Sequence, residues 1–159
     1  MKRHLVTALL LITATSLFAF GQRESGEFGY SGITTIEVDA ETFAVEVRAT
    51  RGRRVEMQVE NAPNNYTVYH GTDDATVRVW VERTFSLFSR PHRGRLVFLV
   101  PADIDLALDT STGAVYATGI TGESIRIETS TGSILRERFT SAADGRSATG
   151  SIDTRRCEG

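Results

Sequence analysis

The chain has one cysteine, Cys157, in 159 residues. An intramolecular disulfide is impossible, so burial and hydrogen bonding must hold the fold. No cysteine follows the apolar N-terminal stretch either, which argues against lipid attachment. After Lys2 every basic residue is Arg or His, and no excess of positive charge builds up. The formal net charge is −2, which makes a nucleic-acid partner a poor fit. His70 and His92 have no companions at metal-ligand spacing, and Cys157 is remote from both. No metal or other cofactor is expected, and no single Ser-His-Asp set stands out. Beyond the N-terminal segment no apolar pattern has helical period, which disfavours helical and α/β classes.

What is present begins with an export signal. Lys2, Arg3 and His4 form a basic start, and Leu5 to Phe20 is apolar, diluted by Thr7, Thr13, Thr15 and Ser16. Ala19-Phe20-Gly21 supplies small residues where a signal peptidase reads them, so cleavage is expected before Gln22. The rival reading is an uncleaved anchor, for which the uncharged run is of borderline length. Residues 1–21 are thus read as a signal peptide, 22–32 as a flexible lead-in and 33–159 as one domain. Without Lys2 and Arg3, 16 basic side chains face 20 acidic ones.

Within 33–100 the pattern is strict alternation. Ile36, Val38 and Ala40 share a face, as do Phe43, Val45, Val47 and Ala49. Val55, Met57 and Val59 follow, then Val77, Val79 and Val81. Period two over short runs means half-buried strands. Turn residues separate them at Arg51-Gly52-Arg53, Asn61 to Asn65 and Gly71 to Asp74. Leu96 to Val100 is continuously apolar, as in a strand buried on both faces, and Pro101 ends it.

Residues 101–159 carry an internal repeat. It reads Asp109-Thr-Ser-Thr-Gly113-Ala-Val, Glu128-Thr-Ser-Thr-Gly132-Ser-Ile and Arg146-Ser-Ala-Thr-Gly150-Ser-Ile, with glycines 19 and then 18 residues apart. Aligned on Gly113, Gly132 and Gly150, apolar positions recur in phase: Val115, Ile134 and Ile152 after the glycine, Leu106 and Ile125 before it. A period this short with strand-like flanks implies coils stacked one on another. The glycines are expected to be structural corners where the inward phase shifts by one residue. Thr110, Thr129 and Ser147 are expected to form a hydroxyl ladder whose members satisfy each other and nearby backbone groups. The expected class is all-β, a short β-solenoid of the parallel β-helix kind with irregular N-terminal strands.

The Val100-Pro101 step, Leu106 to Thr118 and the Thr-Ser-Thr-Gly turns at 110–113 and 129–132 resemble the bacterial envelope putative-adhesin family, from about Ile33 onward. The resemblance implies a right-handed parallel β-helix, an envelope location and no defined activity. It also implies more turns than the three glycine turns here. An uncapped stack would leave an open C-terminal edge suited to self-association, unless Arg155 and Arg156 oppose it.

Candidate interaction residues lie in the segment that breaks the rhythm: Phe85, Leu87, Phe88, Arg90, His92, Arg93 and Arg95. They read either as a loop folded back on the core or as an apolar, cationic patch for an envelope polymer, lipid headgroup or protein. Arg51, Arg53 and Arg54 would add to an anion site if the two groups converged. Asp103, Asp105 and Asp109 are expected on one outer face about 7 Å apart, the basis of a rival reading as a polysaccharide-active β-helix enzyme. A periplasmic part of an envelope-stress or signalling system is a third reading. The favoured one is an exported, non-enzymatic binding module, periplasmic or extracellular and not lipid-anchored. When the chain is expressed with its leader in a bacterial host, intact mass and N-terminal sequencing should show the exported form starting at Gln22; a retained Met1 would favour the anchor.

Overall fold

The computed structural model describes residues 21–22, 26–84, 93–139, 144–147 and 150–157. Among these, the strands are β1 (Gly21–Gln22), β2 (Gly26–Ser31), β3 (Thr35–Asp39), β4 (Ala44–Thr50), β5 (Arg54–Glu60), β6 (Tyr66–Asp73) and β7 (Thr76–Arg83). They continue as β8 (Arg95–Pro101), β9 (Asp105–Thr110), β10 (Val115–Thr118), β11 (Ile125–Thr129), β12 (Ile134–Phe139), β13 (Asp144–Ser147) and β14 (Ile152–Cys157). The first sheet runs β1-β6-β7-β3-β9-β11-β13 and the second β14-β12-β10-β4-β8-β5-β2. Both sheets are open and mixed. Pairing is parallel from β7 to β13 in one and from β8 to β14 in the other.

The all-β expectation therefore holds: the alternating runs at 36–40, 43–49, 55–59 and 77–81 fall on β3, β4, β5 and β7, and the continuously apolar run at 96–100 falls on β8. A uniform parallel coil does not describe the chain, because β1, β2, β5 and β6 pair antiparallel. The reason is connection length. β6 and β7 are joined by a tight turn with Asp74 at φ 50°, and so short a link permits only antiparallel pairing. Residues 26–31, read from sequence as part of a lead-in, form β2 and lie along β5. Phe28 and Tyr30 share a face there with Gly26, alternate with Glu27 and Gly29, and pack against the core. The glycines weaken the strand signal that the aromatics carry.

The repeat stacks in register. Val115 pairs with Ile134 and Ile134 with Ile152. Val45 extends that column and Leu96 extends it again. In the first sheet Val77, Ile36, Leu106 and Ile125 align, as do Val79, Val38, Leu108 and Ile127. Nearly all of these side chains are buried; Ile152, at the outer end, is 42% exposed. Each fully buried aliphatic side chain contributes about 1.5–3 kcal/mol, so these columns dominate the stabilisation.

The corners differ from expectation in mechanism. Neither Gly113 nor Gly132 has a left-handed backbone. What excludes a side chain is the next layer. A Cβ on Gly113 would lie 1.9 Å from the carbonyl oxygen of Phe43, and one on Gly132 would lie 1.9 Å from that of Gly113. The threonines also act differently. Thr110 Oγ1 accepts from Gly113 N at 3.1 Å and donates to Glu41 O at 2.9 Å. Thr129 Oγ1 accepts from Gly132 N at 3.0 Å and donates to Gly113 O at 3.4 Å. Each hydroxyl serves its own corner and the corner of the adjacent layer, rather than another hydroxyl. This satisfies backbone groups that burial would otherwise leave unpaired.

Gly132→Ala should destabilise the fold by about 1–3 kcal/mol, because the obstructing atom is backbone and cannot rotate away. Gly71→Ala, with nothing within 4 Å of the added carbon, is the control and should stay near wild type. Urea melts of the two variants check this.

Candidate functional site

Of the residues singled out from sequence, Phe85, Leu87, Phe88, Arg90 and His92 lie outside the described residues. Arg93 and Arg95 are exposed, and Arg95 Nη1 meets Glu46 Oε2 at 3.3 Å. Glu46 also pairs with Arg48, so this carboxylate is held between two guanidinium groups. The described arginines do not converge on one anion site. β5 runs antiparallel to β8, so Arg95 faces Glu60 while Arg54 lies at the far end of β5, roughly 20 Å away at about 3.3 Å per residue.

The expected row of Asp103, Asp105 and Asp109 does not form as one set. Asp103 sits in the turn before β9 and lines a hollow of about 280 Å³ with Ile33, Thr34, Arg53, Pro101 and Ile104. Asp105 Oδ1 accepts the backbone N–H of Ser124 at 2.9 Å and thereby ties two layers together. Asp109 is exposed at the other end of β9, with Ala107 between them. The partners of Asp109 are across the sheet, not along the strand.

Across the outer face of the first sheet, register aligns Tyr69, Trp80, Asp39, Asp109, Glu128 and Arg146 on six adjacent strands. The next row is Gly71, Arg78, Glu37, Ala107, Arg126 and Asp144. Trp80 faces outward because Val79 and Val81 face inward. Tyr69 stacks on it at 5.4 Å with 15° between the ring planes. A shallow groove of about 330 Å³ is lined by Glu37, Val38, Asp39, Arg78, Val79, Trp80 and Ala107. Tyr69 is not part of its lining.

Charge is unevenly paired on this face. Arg78 bridges Glu37 at 2.8 Å and Asp73 at 3.2 Å, and Arg126 meets Glu128 at 3.0 Å. Asp39 and Asp109 form no salt bridge among the described residues. Partial burial, then the charges of Asp39 and Glu128, push the Asp109 carboxyl above the ordinary range, against the pull of Arg126. The repeat already aligns Asp109, Glu128 and Arg146, and the outward phase of Trp80 between two inward valines is legible, but nothing in the sequence brings Trp80 and Asp39 into that row.

A second polar feature lies inside the sandwich. His70 on β6 is 8% exposed, and its Nδ1 is 2.7 Å from Tyr30 Oη on β2 in the opposite sheet. The Phe28 ring centroid is 4.0 Å from the imidazole. Nε2 is buried and makes no hydrogen bond. Burial lowers the His70 pKa and pushes that of Tyr30 up to about 12.

Among the described residues no three His, Cys, Asp or Glu side chains are grouped to hold a metal ion, and no helix is long and apolar enough to cross a membrane. No protein-family profile matches the chain, and no curated protein matches it. A solved structure described as a putative cell adhesion protein from Clostridium sporogenes ATCC 15579 is similar at a TM-score of 0.50 over 83% of this chain and 99% of its own. Identity is 8%, so the likeness is one of fold.

The sign of the histidine effect follows from its lowered pKa. The unfolded chain takes up the proton more readily, so the stabilisation is complete above the ordinary histidine pKa of about 6.5 and is lost as pH falls through it. Thermal midpoints should therefore drop between about pH 7.5 and 5.5 at constant ionic strength. His70→Gln, which keeps an acceptor for Tyr30, should flatten that part of the profile; an unchanged slope would show that other groups set it.

Proposed function

We propose that this chain is an exported, non-enzymatic, adhesin-like binding module of the bacterial envelope. In this reading the five parallel layers β7/β8, β3/β4, β9/β10, β11/β12 and β13/β14 form a short solenoid, and the antiparallel strands close one end. The basic, apolar and small-residue sequence of 1–21 supports export to the periplasm or cell surface. The fold shared with a protein described as a putative cell adhesion protein supports the adhesive role. One observation carries the reading: the outward residues Tyr69, Trp80, Asp39, Asp109, Glu128 and Arg146 align in one row across six strands, giving a broad, shallow surface suited to an extended ligand.

A polysaccharide-cleaving enzyme is the second reading. Its support is the pairing of Asp39 with Asp109 on adjacent strands, about 4.7–4.9 Å apart, and the raised pKa of Asp109. Both readings meet one experiment. The exported chain is incubated with native bacterial envelope; retained protein and released reducing ends are measured together, and captured material is identified by mass spectrometry. The binding module should be retained and release no sugar ends. Catalytic release that disappears in Asp109→Ala would overturn it in favour of the enzyme.

A further inference from the structure

We propose that the hollow between the β2–β3 link, the β4–β5 turn and the β8–β9 turn binds a free α-amino acid with an apolar side chain, its carboxylate held by Arg53 and its ammonium group by Asp103. The inference goes beyond the binding-module reading, and the hollow shares no residue with the outward row of the first sheet.

Size and lining set the scale of the ligand. The hollow holds about 280 Å³ and is lined by Ile33, Thr34, Arg53, Pro101, Asp103 and Ile104. That is just under the usual range for small-molecule pockets, about 300–1,000 Å³, and suits one small molecule rather than a length of polymer. Ile104 is 1% exposed and belongs to the core, and Ile33 packs against that core. With Pro101 they offer an apolar surface that the fold holds in place.

Backbone pairing fixes the walls. Thr34 N–H donates to Ala75 O at 2.8 Å, and Asp105 N–H donates to Thr34 O at 2.9 Å. Thr121 N–H, in the next layer, donates to Ala102 O at 2.6 Å. Asp105 is itself occupied by Ser124 N–H. The segments carrying Thr34 and Asp103 are thus tied to the layers on either side, so a ligand entering between them meets a preformed site and little ordering cost.

Charge selects a zwitterion. Arg48, Arg78, Arg95, Arg126 and Arg155 each meet a carboxylate. Arg53 and Asp103 line one hollow, yet they form no salt bridge with each other or with any other described residue. A guanidinium matches the two oxygens of a carboxylate, and an aspartate accepts from an ammonium group. A ligand with both charges on one carbon answers both residues at once, whereas a simple cation or anion leaves one of them without a partner. An α-amino acid carries that pair, and an apolar side chain on it is removed from water against Ile33, Pro101 and Ile104. A sugar is a weaker fit, because Thr34 supplies the one neutral hydroxyl side chain of the lining.

The probe is L-leucine, titrated near neutral pH into the exported chain labelled with nitrogen-15. Beside it run N-acetyl-leucine, which lacks the ammonium group, leucinamide, which lacks the carboxylate, and glycine, which lacks the side chain. Saturable shifts of the backbone amides of Ile33, Thr34, Asp103 and Ile104 are expected with leucine, and each analogue should bind at least about tenfold more weakly. Arg53→Gln should remove the preference for leucine over leucinamide, and Asp103→Asn the preference for leucine over N-acetyl-leucine. Both side chains are exposed, so the rest of the spectrum should stay as in the wild type and confirm the fold. No saturable shift at these amides with leucine, equal affinity for the capped forms, or preferences that survive the two substitutions would each overturn the proposal.

Discussion

The close approach of stacked backbone at the corners is the constraint on which the structure depends. Gly113 sits against the carbonyl of Phe43, and Gly132 against that of Gly113. Only a residue without a side chain lets adjacent layers come to hydrogen-bonding distance there. Once they do, register follows along both strands leaving the corner. The buried threonines Thr110 and Thr129 close the remaining polar groups, so the corner can be dry. The aliphatic columns supply most of the free energy, but the corners determine which residues share a column.

The same register organises the outside. A strand shows its side chains alternately to either face, so a sheet that aligns Val38 with Leu108 inside must align Asp39 with Asp109 outside. The surface is therefore built from positions far apart in sequence, from 39 to 128, with no loop needed to gather them. Like charges are brought together as a side effect of packing the core. At this exposure their repulsion is modest, because solvent screens it. Asp39 and Asp109 have no salt bridge among the described residues, whereas Glu46 on the opposite sheet has two arginines.

The antiparallel end is stabilised by different means. There β2 and β6 belong to different sheets and meet through Tyr30, His70 and Phe28. A hydrogen bond inside an apolar setting links the sheets where the repeat does not extend. Its histidine keeps one ring nitrogen without a partner, which makes this end sensitive to protonation in a way the aliphatic layers are not.

The strand positions, the inward set Ile36, Val38, Val45 and Val47, and the stacking of Val115 on Ile134 and Ile152 were legible from sequence. Period-two alternation and an 18–19-residue repeat are local signals that survive without knowledge of neighbours. Outside the repeat, which strands lie side by side was not legible. That β8 inserts between β4 and β5, that β2 joins β5, and that Trp80 stands beside Asp39 follow from which apolar surfaces find each other once the chain is folded. Alternation states which face a residue takes; only the assembled sheets decide who stands next to it, because strand pairing is a contact between distant parts of the chain and leaves no periodic trace in either part.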